Sequence, residues 1–271
     1  MAKKMSLLRR ITRWVVWVLV ILAVLFALQV TILAFPQVVL NDRVQVGAVA
    51  LYHDGGPEEE MRQLAADVDN RLRGSRFYNS TRVTNLYYFL DQGTYEFFTN
   101  LTIMQVIPQG FNLPELNNSY VSDSLVAALG RGTGGRPQYS IWSGDPAHTA
   151  AHEIGHQYSY ELLGRKKLPH WKQEGLPEYI ANTGLARQDS LANLDRRIGI
   201  LLDDSQWRDT PPGRLPGWAR IHYEGWLLME YLLDVEGRNL EDVMADSVSK
   251  EATHAAMMQW YESQRDTNET I

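Results

Sequence analysis

Residues 145–181 read DPAHTAAHEIGHQYSYELLGRKKLPHWKQEGLPEYIA, and the organisation of the chain unfolds outward from this stretch. Asp145 before Pro146 is a helix start, a side-chain acceptor at the N-cap followed by a residue whose fixed φ suits the first helical position. With Gly164 as the stop, the pattern predicts one helix over 145–164. His152 and His156 stand four apart on it, one turn along a single face, where both imidazoles can meet one metal ion. Glu153 projects beside that position, where its carboxylate can take a proton from a water and later return one to a leaving group. A second helix is predicted to enter near Trp171, with Glu174 and Glu178 one turn apart. Glu174 can supply the third protein ligand that a catalytic zinc needs beside its open position. Glu178, on the same face, is placed to hold a ligating histidine through its other ring nitrogen. The bland alternative for these two glutamates is a solvated acidic pair.

Other residues near the motif admit more than one role. His148, four before His152, could stand behind the ligands or touch substrate; the plainer expectation is a partly exposed histidine in the first helical turn. His170, just after Pro169, is an alternative to Glu174 as third ligand. Glu161 faces a different direction from His156 and is expected to be solvated. The chain contains no cysteine, which excludes disulfides, thiolate ligands and cysteine nucleophiles, so any metal rests on His, Asp or Glu.

The two helices resemble those of the gluzincins, zinc metallopeptidases whose third ligand is a glutamate on a helix following the His-Glu-x-x-His helix. HEIGHQYSY is similar to the aminopeptidase form of the motif, with Gln and an aromatic residue after the second histidine, and QEGLPEY is similar to its Asn-Glu-Gly partner. Seventeen residues separate His156 from Glu174, close to the usual spacing of that family. Further on, IHYEGWLLMEYLLDVEG is similar to a Tyr-x-x-Gly helix of bacterial members. A tyrosine in that region stabilises the oxyanion in the family, and Tyr223 is the matching position; His222 beside it could instead donate the hydrogen bond. The resemblance covers roughly residues 140–236.

The resemblance implies an α+β, zincin-like fold, with a strand-rich N-terminal lobe, the motif helix as the floor of a cleft and a helical C-terminal lobe. It also implies a Zn2+-dependent peptidase acting on a peptide or protein substrate. His152, His156 and Glu174 would then be the metal ligands, Glu153 and Tyr223 the catalytic residues, and Glu178 the support behind the ligands. One departure stands out: the Gly-x-Met-Glu-Asn segment that captures the substrate's free amine in the aminopeptidases does not occur before His152. Two other functions fit the same residues. One is a membrane-anchored binding or assembly protein that keeps the fold without catalysis, against which the retained Glu153 speaks. The other is a zinc hydrolase of a non-peptide amide.

Residues 14–35 carry no charge and, at about 1.5 Å per residue, are long enough to cross a bilayer core of about 30 Å. Lys3, Lys4, Arg9, Arg10 and Arg13 precede this run, so a cytoplasmic basic tail (1–13), a transmembrane helix (14–35), a linker (36–43) and an extracytoplasmic domain (44–271) are expected. Trp14 and Trp17 suit an interfacial belt, and the run is too long for the apolar core of a cleaved signal peptide. Beyond residue 13 there are 21 basic against 32 acidic residues, a balance of −11 that argues against nucleic acid as a partner. At 45% hydrophobic and 21% charged residues, the chain is too apolar for intrinsic disorder.

Between anchor and motif, 44–52 reads as a strand, 58–74 as a helix opened by Pro57, 82–90 as a second strand and 94–101 as a short helix. Residues 110–137 read as irregular chain with a short strand or helix, and 138–142 as a further strand. Asn79, Asn100, Asn117 and Asn268 begin Asn-x-Ser/Thr sequences, all beyond the anchor.

Overall fold

A computed structural model describes residues 2–102, 107–130, 145–186, 190–203 and 218–269. All of the apolar run except Phe35 lies within one helix, α1 (Ala2–Ala34), which continues unbroken through the basic segment. Residues 9–34 are long and apolar enough to cross a membrane, and the rest of the protein leaves their most apolar part uncovered. Pro36 ends the helix and opens a single 3-10 turn, Pro36–Val38. Within the stretch expected as a linker (36–43), Pro36 and Leu40 are buried, while Val38, Val39 and residues 41–43 are exposed.

The segment expected as one strand is a hairpin, β1 (Asp42–Val46) and β2 (Val49–His53), with Val46 opposite Val49. Gly47 turns it with a φ of +53°, and a Cβ there would fall 2.3 Å from an Asp69 carboxylate oxygen. Asp69 sits on α2 (Glu58–Gly74) and accepts the Ala48 N–H at 2.9 Å, which ties the turn to that helix. β3 (Thr84–Phe89) and α3 (Gln92–Leu101) follow, the latter capped by Asp91, which accepts the Thr94 N–H at 2.6 Å.

Residues 110–130 are more regular than the irregular chain with a short strand or helix expected there: they form β4 (Gly110–Leu113), β5 (Asn118–Ser122) and α4 (Asp123–Gly130). Both strands are short and partly polar, so their extended state comes from pairing rather than from propensity. The rest of that stretch, and the strand expected at 138–142, lie outside the described residues.

The sheet order is β1-β2-β3-β5-β4, with β2–β3 and β3–β5 parallel and the outer pairs antiparallel. Alternation separates its two faces. Leu86, Tyr88 and Val121 join α2 and the motif helix in the main core. Tyr87, Phe89 and Tyr120 form an aromatic layer on the other face with Tyr95, Phe98 and Phe111, and Leu33 of α1 packs into it. Asn118 Nδ2 and the Tyr120 hydroxyl both donate to the Leu33 carbonyl, at 2.9 and 2.7 Å, satisfying a group that a helix end leaves free.

The second half is helical: α5 (Pro146–Leu163), α6 (His170–Ala186), α7 (Ser190–Leu202), α8 (Trp218–Glu230) running into a π turn over Tyr231–Val235, α9 (Leu240–Val243) and α10 (Lys250–Glu269). Among the described residues the protein is thus α+β, with one sheet and mostly helices.

Glycines set the helix spacing around α6. A Cβ on Gly155 of α5 would meet Pro177 Cα of α6 at 2.7 Å, and one on Gly175 of α6 would meet the Gly225 carbonyl oxygen of α8 at 2.5 Å. Backbone cannot yield as a flexible side chain can. Gly175→Ala is therefore expected to cost about 1–3 kcal/mol by overpacking. Thermal unfolding of the detergent-solubilised full chain checks it, and an unchanged midpoint would mean that the helices separate freely.

Candidate metal centre

The close approach of α5, α6 and α8 brings five polar side chains to one place. His152 and His156 come from α5, Glu174 and Glu178 from α6, and His222 from α8. Asp145 caps α5 by accepting the His148 N–H at 3.0 Å, which sets the phase of the helix that presents the histidines. The 152 and 156 rings stand nearly perpendicular, with Nε2 atoms 3.1 Å apart. Oε2 of Glu174 is 3.5 Å from each. A tetrahedral ion with bonds near 2.0–2.1 Å has ligand atoms about 3.3 Å apart, so three edges of 3.1, 3.5 and 3.5 Å fit it.

The donor set suits a cation electrostatically as well. Glu174 and Glu178 have histidines as their ion-pair partners among the described residues. With those rings neutral, the pocket holds an excess of carboxylate charge. Burial works against protonation of His152, yet Glu178 and Glu174 raise its proton affinity well above that of a free imidazole. For Glu174, burial favours the acid, but hydrogen bonds from His152 and His156 hold it below the usual carboxylate range. A field that draws protons onto imidazole draws a metal cation too.

Glu178 is the hub behind the donors. Its Oε2 is 2.9 Å from His148 Nε2, and its Oε1 is 3.1 Å from His152 Nδ1 and 3.2 Å from His222 Nδ1. The His152 contact is close in distance but off the line of the ring N–H, leaving that nitrogen without an aligned partner. A small rotation of the ring would align the bond. Asn182, one turn beyond, donates to the Glu178 carbonyl at 2.8 Å and approaches Oε2 at 3.2 Å. Burial raises the proton affinity of Glu178, and the fields of His152 and His148 more than reverse it.

Glu153 is buried beside β4. Gly110 leaves room for it: a Cβ at 110 would come within 2.7 Å of Glu153 Cγ and 2.8 Å of Oε1. Desolvation comes first in raising its proton affinity, opposed by His156 and His152 and reinforced by Glu174 and Glu178. That shift suits a group that must both accept and return a proton. β4 ends the sheet among the described residues, so its outer edge can take a further strand.

Two expectations from the sequence change here. Tyr223 is fully buried, and its hydroxyl donates to the Arg197 carbonyl of α7 at 3.1 Å. Consecutive helical residues point about 100° apart. His222 faces the cluster, with Nε2 3.7 Å from Glu174 Oε2, and Tyr223 therefore turns toward α7. His148 is not partly exposed but buried against Glu178. His170 lies at the exposed rim, its Nε2 3.9 Å from Glu174 Oε1, and Glu161 pairs with Arg82 away from the cluster. A scan against protein-family models finds no match, and a search of curated proteins finds no similar sequence.

Asn182, Gly110, Gly155, Gly175 and Gly225 escaped the reading of the sequence. Asn182 is four past Glu178, a spacing that marks it as a candidate neighbour. The glycines carry no local signal, because the backbone that crowds them comes from other elements.

Proposed function

We propose that the protein is a membrane-anchored zinc peptidase of gluzincin type, with a zincin-like domain carried outside the cytoplasm by α1. The observation that carries this reading is the triangle of His152, His156 and Glu174 donors, sized for a tetrahedral ion, with a buried carboxylate at Glu153 beside it. Zinc, when bound, acidifies a water and polarises a carbonyl.

The chain's own groups do the rest. Oε1 of Glu153 takes the proton from the attacking water and passes it to the departing amine. His222, carrying a proton on both ring nitrogens with Nδ1–H directed at Glu178, donates from Nε2 to the oxygen of the scissile carbonyl as negative charge gathers there. The edge of β4 next to Glu153, which ends the sheet among the described residues, aligns an extended peptide by backbone pairing. The basic flank of α1 supports a cytoplasmic N-terminus, which leaves exported peptides or membrane proteins as the substrates within reach.

Elemental analysis of the full chain in detergent, wild type against His156→Ala and Glu174→Ala, tests the reading. One zinc per wild-type chain, lost in both variants while α-helical content is kept, is the expected result. A folded wild type that takes up no zinc would end it.

A further inference from the structure

The outer face of the sheet is covered by the end of α1 and by α3, and both elements leave apolar side chains uncovered. Phe35, Val38 and Val39 follow α1 directly, with Val38 at 68% exposure. Phe97 on α3 is 47% exposed, and Ile107 beyond it is exposed too. In the sequence no charged residue occurs from 14 to 41 or from 97 to 114. These two uncharged stretches meet in space: the Gln29 side-chain amide of α1 donates to the Leu101 carbonyl at the end of α3.

The depth of that contact is what matters. From Trp14 to Ala34 the helix rises about 30 Å, the full thickness of a hydrocarbon core, so Gln29 lies about 7 Å inside the boundary near Ala34. An amide at that depth costs free energy unless it is hydrogen-bonded, and the bond it makes is to a carbonyl of the exported domain. The last turn of α3 must reach the same depth.

We propose that α3 near Phe97 and Leu101, together with residues 35–39, forms a collar seated in the acyl chains of the leaflet through which α1 emerges. The domain then sits in the membrane surface rather than above it on a tether. This rests on the reading of α1 as a membrane span. The occupant is the same bilayer because the exposed residues 35, 38 and 39 follow α1 with no charge in the sequence before Asp42, and Gln29 of α1 joins the end of α3. The geometry also bears on the metal centre. Phe111 of β4 stacks on Tyr120 with ring centroids 4.3 Å apart, and the Tyr120 hydroxyl holds the Leu33 carbonyl, while the preceding residue of β4, Gly110, touches Glu153. The collar therefore sets the height of the His–Glu cluster above the lipid.

The chain has no cysteine, so single substitutions Leu25→Cys, Val38→Cys, Phe97→Cys and Glu59→Cys each accept one nitroxide label. In phosphatidylcholine vesicles, labels at 38 and 97 should share the preference of position 25 for collision with oxygen over a water-soluble nickel chelate. That ratio should be several-fold higher than at Glu59, which is exposed on α2. Labels at 38 and 97 that behave like 59, or that are shielded from both reagents, would overturn the collar while position 25 still reports a span. A water-exposed label at 25 would remove the span and the collar together.

Discussion

Replacing Glu153 with Gln is expected to leave zinc uptake and folding intact and to lower peptide hydrolysis by about 10²–10⁴-fold, the usual contribution of a positioned acid–base group. The substitution preserves shape, and Glu153 is outside the donor triangle, so the metal site itself is spared. It is also buried, with burial raising its proton affinity, so an amide in its place adds no uncompensated charge. Mass-spectrometric profiling of a peptide library with wild type and variant checks this. Equal cleavage by both would remove Glu153 from the chemistry, and zinc-loaded protein that cleaves nothing would favour the binding or assembly protein.

Glu178→Ala should have the second largest effect, and a different one. It leaves His148, His152 and His222, all buried, without the carboxylate they share. Breaking a buried charged contact from one side costs about 3–5 kcal/mol. Loss of the group orienting a metal-binding histidine weakens metal affinity about 10–100-fold. Denaturant unfolding and competition with a zinc-binding dye read the two losses separately. If Glu178→Gln restores stability but not affinity, orientation of His152 by a charged acceptor is the cause; if both return, the carboxylate charge is dispensable.

The two histidine donors were legible because their spacing is local. His152 and His156 are one helical turn apart, and a helix bounded by Asp145 and Gly164 fixes their common face. Glu174 was legible only as a candidate on the next helix, since nothing in a linear chain says how two helices cross. That crossing depends on Gly155 against Pro177 and Gly175 against Gly225. Tyr223 shows the limit from the other side. The motif pointed to the tyrosine, but one residue of helical phase separates it from His222, and only packing of α8 on both α6 and α7 determines which of the two faces the cluster.

By itself, the sequence determined the charge-free run of α1, the α5 face carrying both histidines and the exclusion of thiolate chemistry. Each follows from periodicity or composition within a few turns of chain. Tertiary structure decided the rest: the roles of His148 and His222 around Glu178, the strand state of β4 and β5, the burial of Leu40 in what had looked like a tether, and the docking of α1 on the aromatic face of the sheet. The role of His148 and the docking of α1 depend on groups 30 and 87 residues apart meeting in space, as Glu178 meets His148 and Tyr120 meets Leu33, and β4 becomes a strand only by pairing with β5. Burial and hydrogen-bond satisfaction select such meetings, and no local pattern encodes them.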